Sequence, residues 1–382
     1  MAVYLDNNAT TALDKEVLEA MLPYMGQVTG NPSSVHRFGR LQKEAIEQAR
    51  ELVAQLAGAR AEQVVFTSGG TESNNLLLNG FSQHEDNQGS IALSAIEHMS
   101  LLEPAQNLPV KVDFLPVDEK GLVIRSAVEE TMTAQSSLLS VMTANNETGV
   151  IQNLAPLIAL ARESDCFFHT DASQAAGKMA LNFVESGVHA MTLSAHKLYG
   201  PVGVGALVVD KRLPIAKLQF GGSQEKNLRA GTENVPAIVG FGKAAELALA
   251  NLQESSTYLR SLRDALEAGL TKIDAVTIFA ERADRLPNTV QFGVDGFDGE
   301  TLLMQLDRKA IAVSSGSACT SGKTEPSHVL QAMNVPTALA SSAIRVSIGK
   351  NNTLSDIDAL LTALNGIIEI NRHSSVMMAA NV

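Results

Sequence analysis

Cysteine is scarce in this chain: Cys166 and Cys319 are the two among 382 residues. Two thiols cannot build the disulfide framework that holds small secreted domains together. No Cys/His grouping has the spacing of a metal site. Basic residues are also outnumbered, 29 Lys and Arg against 41 Asp and Glu, for a net charge of −12. A field of that sign repels phosphate backbones and anionic membrane surfaces, so nucleic acid is a poor expected partner. It leaves room for one basic pocket in an acidic protein. No apolar run approaches the roughly 20 residues of a membrane helix. The opening stretch, MAVYLDNNATT, lacks a basic segment followed by a long apolar one. No signal peptide is therefore expected, and the expected location is the cytoplasm, where free thiols persist. Internal repeats and low-complexity tracts are also lacking.

What remains is an ordinary globular composition, 45% hydrophobic and 18% charged. The length suggests about two or three units, at roughly 100–200 residues each. From about Arg40 to Gly58, Ala45, Ile46, Ala49, Leu52, Val53 and Leu56 recur at helical spacing. Gly58 stands where such a helix stops. QVVFTSGGTESNNLLLNGF then reads as strand, glycine turn and helix. Further strand-like runs lie at Ser90–Leu93, Val110–Leu115, Leu138–Met142, Cys166–His169, Met191–Leu193 and Gly205–Val209, most of them separated by helical patterns. That alternation predicts an α/β fold with a mainly parallel sheet covered on both faces. After the long helical pattern AAELALANLQESSTYLRSLRDALEAGL come strand, helix and strand patterns through SAIRVSIGK, closed by a helix from about Leu354. A boundary is expected near residue 255: residues 15–255 as a large domain, 1–14 with 256–382 as a smaller α+β one.

Ligands in such folds bind beyond the carboxyl ends of the strands. Lys197, in TLSAHKLYGPVGVG, follows a strand-like run and is placed as a Schiff-base lysine would be; the alternative is a solvated loop lysine. Asp171, in FFHTDASQAAGK, stands where a carboxylate can hold a pyridinium nitrogen protonated, or where it caps a helix. Gln174 can then donate to a ring oxygen. His169 reads as structural. In FTSGGTES, Gly69, Gly70 and Thr71 open a helix whose N–H groups can cradle a phosphate, or they are simply a capped helix with Thr71 or Ser68 as cap. His98 can stack on a flat cofactor and handle protons, or it can be a capping or surface histidine. Asn146 follows another strand end and can orient a ring oxygen; Glu147 reads equally as a structural partner. Arg345, on a strand-like run, needs an anion, whether a substrate carboxylate or a plain salt bridge. Cys166 sits in an apolar run and is expected to be inert.

Together the segments YLDNNATT, GNPSSVHRFGR, VVFTSGGTES, ANNETG, HTDASQAAGK, SAHKLYGPVGVG, RAGTENVPAIVG, SSGSACTSGKTEPSHVL and IRVSIG make the chain resemble NifS/IscS-type cysteine desulfurases, class V aminotransferases of PLP fold type I. The resemblance covers nearly the whole chain. It implies a large domain with a mainly parallel seven-stranded sheet and a smaller C-terminal domain. It implies pyridoxal 5'-phosphate on Lys197, with Asp171 at the ring nitrogen and His98 stacked on the ring. Asn146 and Gln174 would contact the ring oxygen, and Gly70, Thr71, Ser194 and His196 would hold the phosphate. Thr232 would reach the phosphate of a neighbouring subunit, which implies a homodimer with shared sites. Arg345 would bind the carboxylate of L-cysteine. Cys319 would take its sulfur as a persulfide, release L-alanine, and pass the sulfur to an acceptor such as an iron–sulfur scaffold. The small, polar surroundings of Cys319 suit a carrier arm. Selenocysteine lyase, a class V aminotransferase on another amino acid, and a catalytically silent scaffold are the competing readings. Ala195 stands where many relatives have glycine, and the short C-terminus leaves the acceptor open.

Overall fold

The computed structural model describes residues 2–87, 89–132, 136–315 and 326–379, with side chains to residue 371 in the last helix. Its strands are, in chain order, β1 (Val3–Tyr4), β2 (Val64–Thr67), β3 (Ser90–Ser94), β4 (Val112–Leu115), β5 (Ser136–Ser140), β6 (Phe167–Asp171), β7 (Ala190–Ser194), β8 (Gly205–Val209), β9 (Val276–Ile278), β10 (Thr289–Val294), β11 (Ile311–Ala312) and β12 (Ile344–Ser347). Seven of them form one sheet in the order β2-β8-β7-β6-β5-β3-β4. β8 is antiparallel to both of its neighbours. The other pairings are parallel, so the mainly parallel sheet read from the sequence is present.

The two-residue period of the strands divides two cores. Val64, Phe66, Ala206 and Val208 pack on one face, among Leu139 of β5 and Phe241. Val65, Leu207 and Leu138, the residues in between, pack on the other face against Leu77 and Phe81. Strands buried on both sides read as continuous apolar runs rather than alternating ones, and VVFT and GALVV are buried throughout. The helix Arg37–Ala57 presents Ala45, Ile46, Ala49, Val53 and Leu56 to the first core and ends at Gly58, where φ is 61°. A Cβ there would stand 2.6 Å from the Cα of Asn182, so both the conformation and the space call for glycine.

A third apolar cluster gathers Val3 and Leu5 with residues from Leu259 to Ile368. It lies on the antiparallel sheet β12-β10-β9 and the parallel pair β1-β11. The long helical pattern that links the two regions does not form one helix. Val235–Ala250 and Leu252–Leu270 meet at 74°. Asn251 sits at the bend with φ −104° and ψ 8°, and its side chain bonds back to the carbonyl of Leu247. A local backbone turn of this kind is what a periodic apolar pattern does not register. No single described helix is long and apolar enough to cross a membrane.

Candidate active site

β3, β5, β6 and β7 run parallel, so Ser94, Ser140, Asp171 and Ser194 end on the same edge of the sheet. The candidate residues gather there. Asp171 is the last residue of β6 and is buried. One carboxylate oxygen accepts from Asn74 Nδ2 at 2.8 Å, the other from the Ser173 N–H at 2.9 Å. Asn74 also donates to Ser100 Oγ at 2.9 Å, and Ser100 lies 2.8 Å from His98 Nδ1. The Ser100 N–H points at the same nitrogen, so Nδ1 accepts and a neutral His98 carries its proton on Nε2. His98 is exposed, yet protein packed around part of the ring desolvates it. That desolvation lowers its pKa, with Asp171 opposing.

Lys197 ends a short 3-10 turn directly after β7. Its Nζ donates to the carbonyls of Asn8 and Ala9 at 2.6 and 2.8 Å. Burial pushes its pKa down to about 8, and the charge of Arg345 adds to the effect. A lysine poised near 8 has an appreciable neutral fraction at physiological pH, unlike a solvated one. His196 is lowered to about 4 by burial and then by Lys197 and Lys178, so it is neutral. Its Nδ1 lies 3.2 Å from Thr10 Oγ1.

The helix Gly70–Ser82 has Gly69 at its N-cap and no side chain capping it. A Cβ on Gly70 would stand 3.2 Å from Ser173 Oγ and 3.7 Å from Ser194 Cβ. Thr71 is exposed at the same turn. An uncapped helix N-terminus facing buried hydroxyls is a cradle for an anion. Ser173 Oγ, Gln174 Oε1 and Asn74 Oδ1 are buried there without a protein partner. Such orphaned groups are costly unless something polar meets them. Together with a carboxylate and a low-pKa lysine, they fit pyridoxal phosphate: an anion, a basic ring nitrogen and an aldehyde.

One N–H of the Gln174 amide donates to the Asn8 carbonyl at 3.0 Å, which fixes the amide's direction, and its Oε1 is buried without a protein partner. Arg345, on β12, donates from Nη2 to Asp6 at 2.8 Å and from Nη1 to the Asn146 carbonyl at 3.2 Å. The salt-bridge reading of Arg345 is therefore present, and its Nε is left without a protein partner. Thr232 is exposed and lines a groove with Tyr24, Met25 and Val28, apart from the other candidates. Cys319 lies outside the described residues. The described residues flanking it end on the site. Ser314 pairs with the backbone of Arg345, and Ser327 Oγ donates to Glu147 Oε2 at 2.5 Å.

The structure adds residues that were not singled out. Asn8 arrives from the N-terminal segment, where Asp6 bridges to Ser347. Lys178, buried and lowered to about 7 by burial and then by Lys197, donates to the carbonyl of Gln174. Glu97 is fully buried, accepts from the Met142 N–H at 2.6 Å, and is held well above the usual carboxylate range by that burial. His169 bonds Ser140 and Thr192 within the core and is structural as expected. Cys166 is 3% exposed, and burial pushes its thiol up to about 12.

The Aminotransferase class-V family profile matches residues 3–360. A protein named cysteine desulfurase IscS, from Dictyoglomus turgidum, is 45% identical over 96% of this chain and 94% of its own. A solved structure titled NifS-like protein superposes with a TM-score of 0.91 at 35% identity, covering 97% of this chain and 100% of that one. Another, titled SspA in complex with cysteine, gives 0.79 at 31% identity over 91% and 98%.

Proposed function

This chain belongs to the class-V aminotransferase family, and from that premise we propose that it is a pyridoxal-phosphate-dependent cysteine desulfurase, converting L-cysteine to L-alanine and keeping the sulfur on Cys319. The observation that carries the reading is the convergence of Lys197, Asp171, His98 and the uncapped Gly70–Ser82 helix on one sheet edge. When bound, pyridoxal phosphate supplies an aldehyde that joins amines and a ring that draws electrons from the adjacent carbon. Asp171, fixed by Asn74 and the Ser173 N–H, would hold a proton on the ring nitrogen. Neutral His98 would stack on the ring without adding charge. Gly70, Thr71, Ser194 and His196 would hold the phosphate, while Asn146 and Gln174 would face the ring oxygen.

Arg345 would bind the carboxylate of L-cysteine through its guanidinium, in competition with Asp6, which accepts from Nη2. Lys197 takes the α-proton as a neutral amine and later returns a proton to the carbon skeleton. The Cys319 thiolate attacks the substrate sulfur; the carbon–sulfur bond breaks and its electron pair stays with the substrate carbon, which takes a proton. The balance is L-cysteine plus a protein thiol giving L-alanine plus a protein persulfide, whose outer sulfur passes to an acceptor thiol.

The same reading includes residues 15–255 as the cofactor domain, with 1–14 and 256–382 as the smaller one. It includes a cytoplasmic homodimer in which Thr232 completes the neighbouring site, and a role in iron–sulfur assembly. Val35, Phe38 and Phe220 are exposed apolar side chains of the kind a subunit contact covers.

Two measurements test this. Under reducing conditions L-cysteine is expected to yield alanine and sulfide; no alanine sinks the reading, and selenocysteine turnover alone favours a selenocysteine lyase. Capture of added pyridoxal phosphate by the ligand-free protein is expected to accelerate about tenfold per pH unit below 8 and level off above it, because the neutral amine is the nucleophile. A stopped-flow profile that keeps rising toward the ordinary lysine value of 10.5 contradicts the depressed pKa.

A further inference from the structure

Three consecutive non-glycine residues, Glu225, Lys226 and Asn227, hold φ values of 40°, 57° and 63°. L-residues visit this left-handed region singly and at a cost, so three in a row need an external restraint. Glu225 provides it. Its carboxylate is buried and meets both terminal nitrogens of Arg50 at 2.8 Å, while Arg50 is itself buried beneath the ring of Phe66.

The pair also seals a sheet edge. β2 is an edge strand, whose outer N–H and C=O groups lack a strand partner. Glu225 Oε2 accepts from the Phe66 N–H at 2.7 Å, and Arg50 Nη1 and Lys226 Nζ donate to the Val64 carbonyl at 3.0 and 2.6 Å. β2 itself is already fixed on its other edge by four register pairs with β8. The chain after the clamp is held by a parallel bridge between Gln219 and Arg229 and by side-chain bonds. Arg229 pairs with Glu72 at 2.9 Å, and the Gly231 N–H donates to Gln224 Oε1 at 3.2 Å. Thr232 follows immediately and is exposed.

We propose that Arg50, acting through Glu225, is a positioning residue for the neighbouring subunit's cofactor site: the clamp fixes residues 225–227 and thereby presents Thr232 across the interface. This rests on the shared-site homodimer proposed above. Losing the clamp lets the segment sample other conformations, and apparent cofactor affinity falls by the fraction of time Thr232 is out of place.

Subunit mixing tests it. Arg50→Met protomers carry an intact Lys197, and Lys197→Ala protomers carry an intact clamp. In a mixed dimer one site receives both good halves. At a cofactor concentration limiting for Arg50→Met alone, the mixture is expected to regain about a quarter of wild-type activity, half the dimers being mixed and one site in each being intact. Titration of pyridoxal phosphate, free of turnover, is expected to show about tenfold weaker binding to the Arg50→Met homodimer and recovery at one site of the mixed dimer. Arg50→Met leaves a buried carboxylate unpaired and risks unfolding, so Glu225→Gln, which keeps the shape, is mixed in parallel with the same expectation. Thr232→Ala with Lys197→Ala is the control. If that pair is rescued and neither clamp variant is, the clamp acts within its own site and the inference is overturned. If the control pair also fails, the shared-site reading falls, and the inference with it.

Discussion

Replacing Lys197 with alanine is expected to lower alanine formation from L-cysteine by about 10³-fold or more, the combined loss of a nucleophilic amine and a proton carrier. The argument is one of position. Lys197 directly follows the strand β7, its Nζ sits on the carbonyls of Asn8 and Ala9, and burial holds it near 8. The nearest rival amine is Lys178, lowered to about 7 and equally able to be neutral. But Lys178 is buried and turned onto the carbonyls of Gln174 and Lys197, not toward Asp171. Borohydride reduction of cofactor-loaded protein, followed by peptide mass analysis, separates the two. The adduct is expected on Lys197 alone and to vanish in Lys197→Ala. An adduct on Lys178 in the unmodified protein reverses the assignment.

Much of this site was legible because its residues follow strands. Asp171, Lys197 and His98 each stand at or just beyond the end of an apolar run, and the parallel sheet brings those ends to one edge. What escaped the sequence was long-range. Asn8 is separated from Lys197 by 189 positions, and only the packing of the N-terminal segment against β12 delivers its carbonyl. Asn74 orients Asp171 from 97 positions away, and no local pattern marks a helix-interior asparagine as its partner. Gln174 shows the same limit from the other side. Its position three residues after Asp171 was readable, but the direction of its amide depends on Asn8. The helix break at Asn251 was missed because apolar periodicity continues through it while the backbone turns there, with φ −104° and ψ 8°.

Cys319→Ser is expected to abolish sulfur transfer, about 10³-fold or more in alanine formation, while leaving pyridoxal phosphate binding unchanged. A serine hydroxyl stays protonated at neutral pH and gives no thiolate to attack sulfur. The second thiol cannot take over. Cys166 is 3% exposed, and with its pKa raised to about 12 its thiolate fraction at pH 7 is about one in 10⁵. Cys166→Ser is therefore expected to keep activity within about twofold, provided the fold survives a polar atom in that core. The chain on either side of the Cys319 segment is anchored where the reaction occurs. Ser314 shares backbone bonds with Arg345, Ser327 bonds Glu147, and the His328 ring meets the Glu97 carbonyl one residue from His98. The residues assigned to the cofactor stand elsewhere in the chain, so losing Cys319 removes the sulfur-accepting atom and cofactor binding is expected to survive. The decisive comparison is a single-turnover assay with L-cysteine, followed by mass analysis for one extra sulfur on the protein. The extra mass is expected in the wild type and in Cys166→Ser, and absent in Cys319→Ser. An extra sulfur carried by Cys319→Ser, with alanine formed at the normal rate, would move the nucleophile elsewhere.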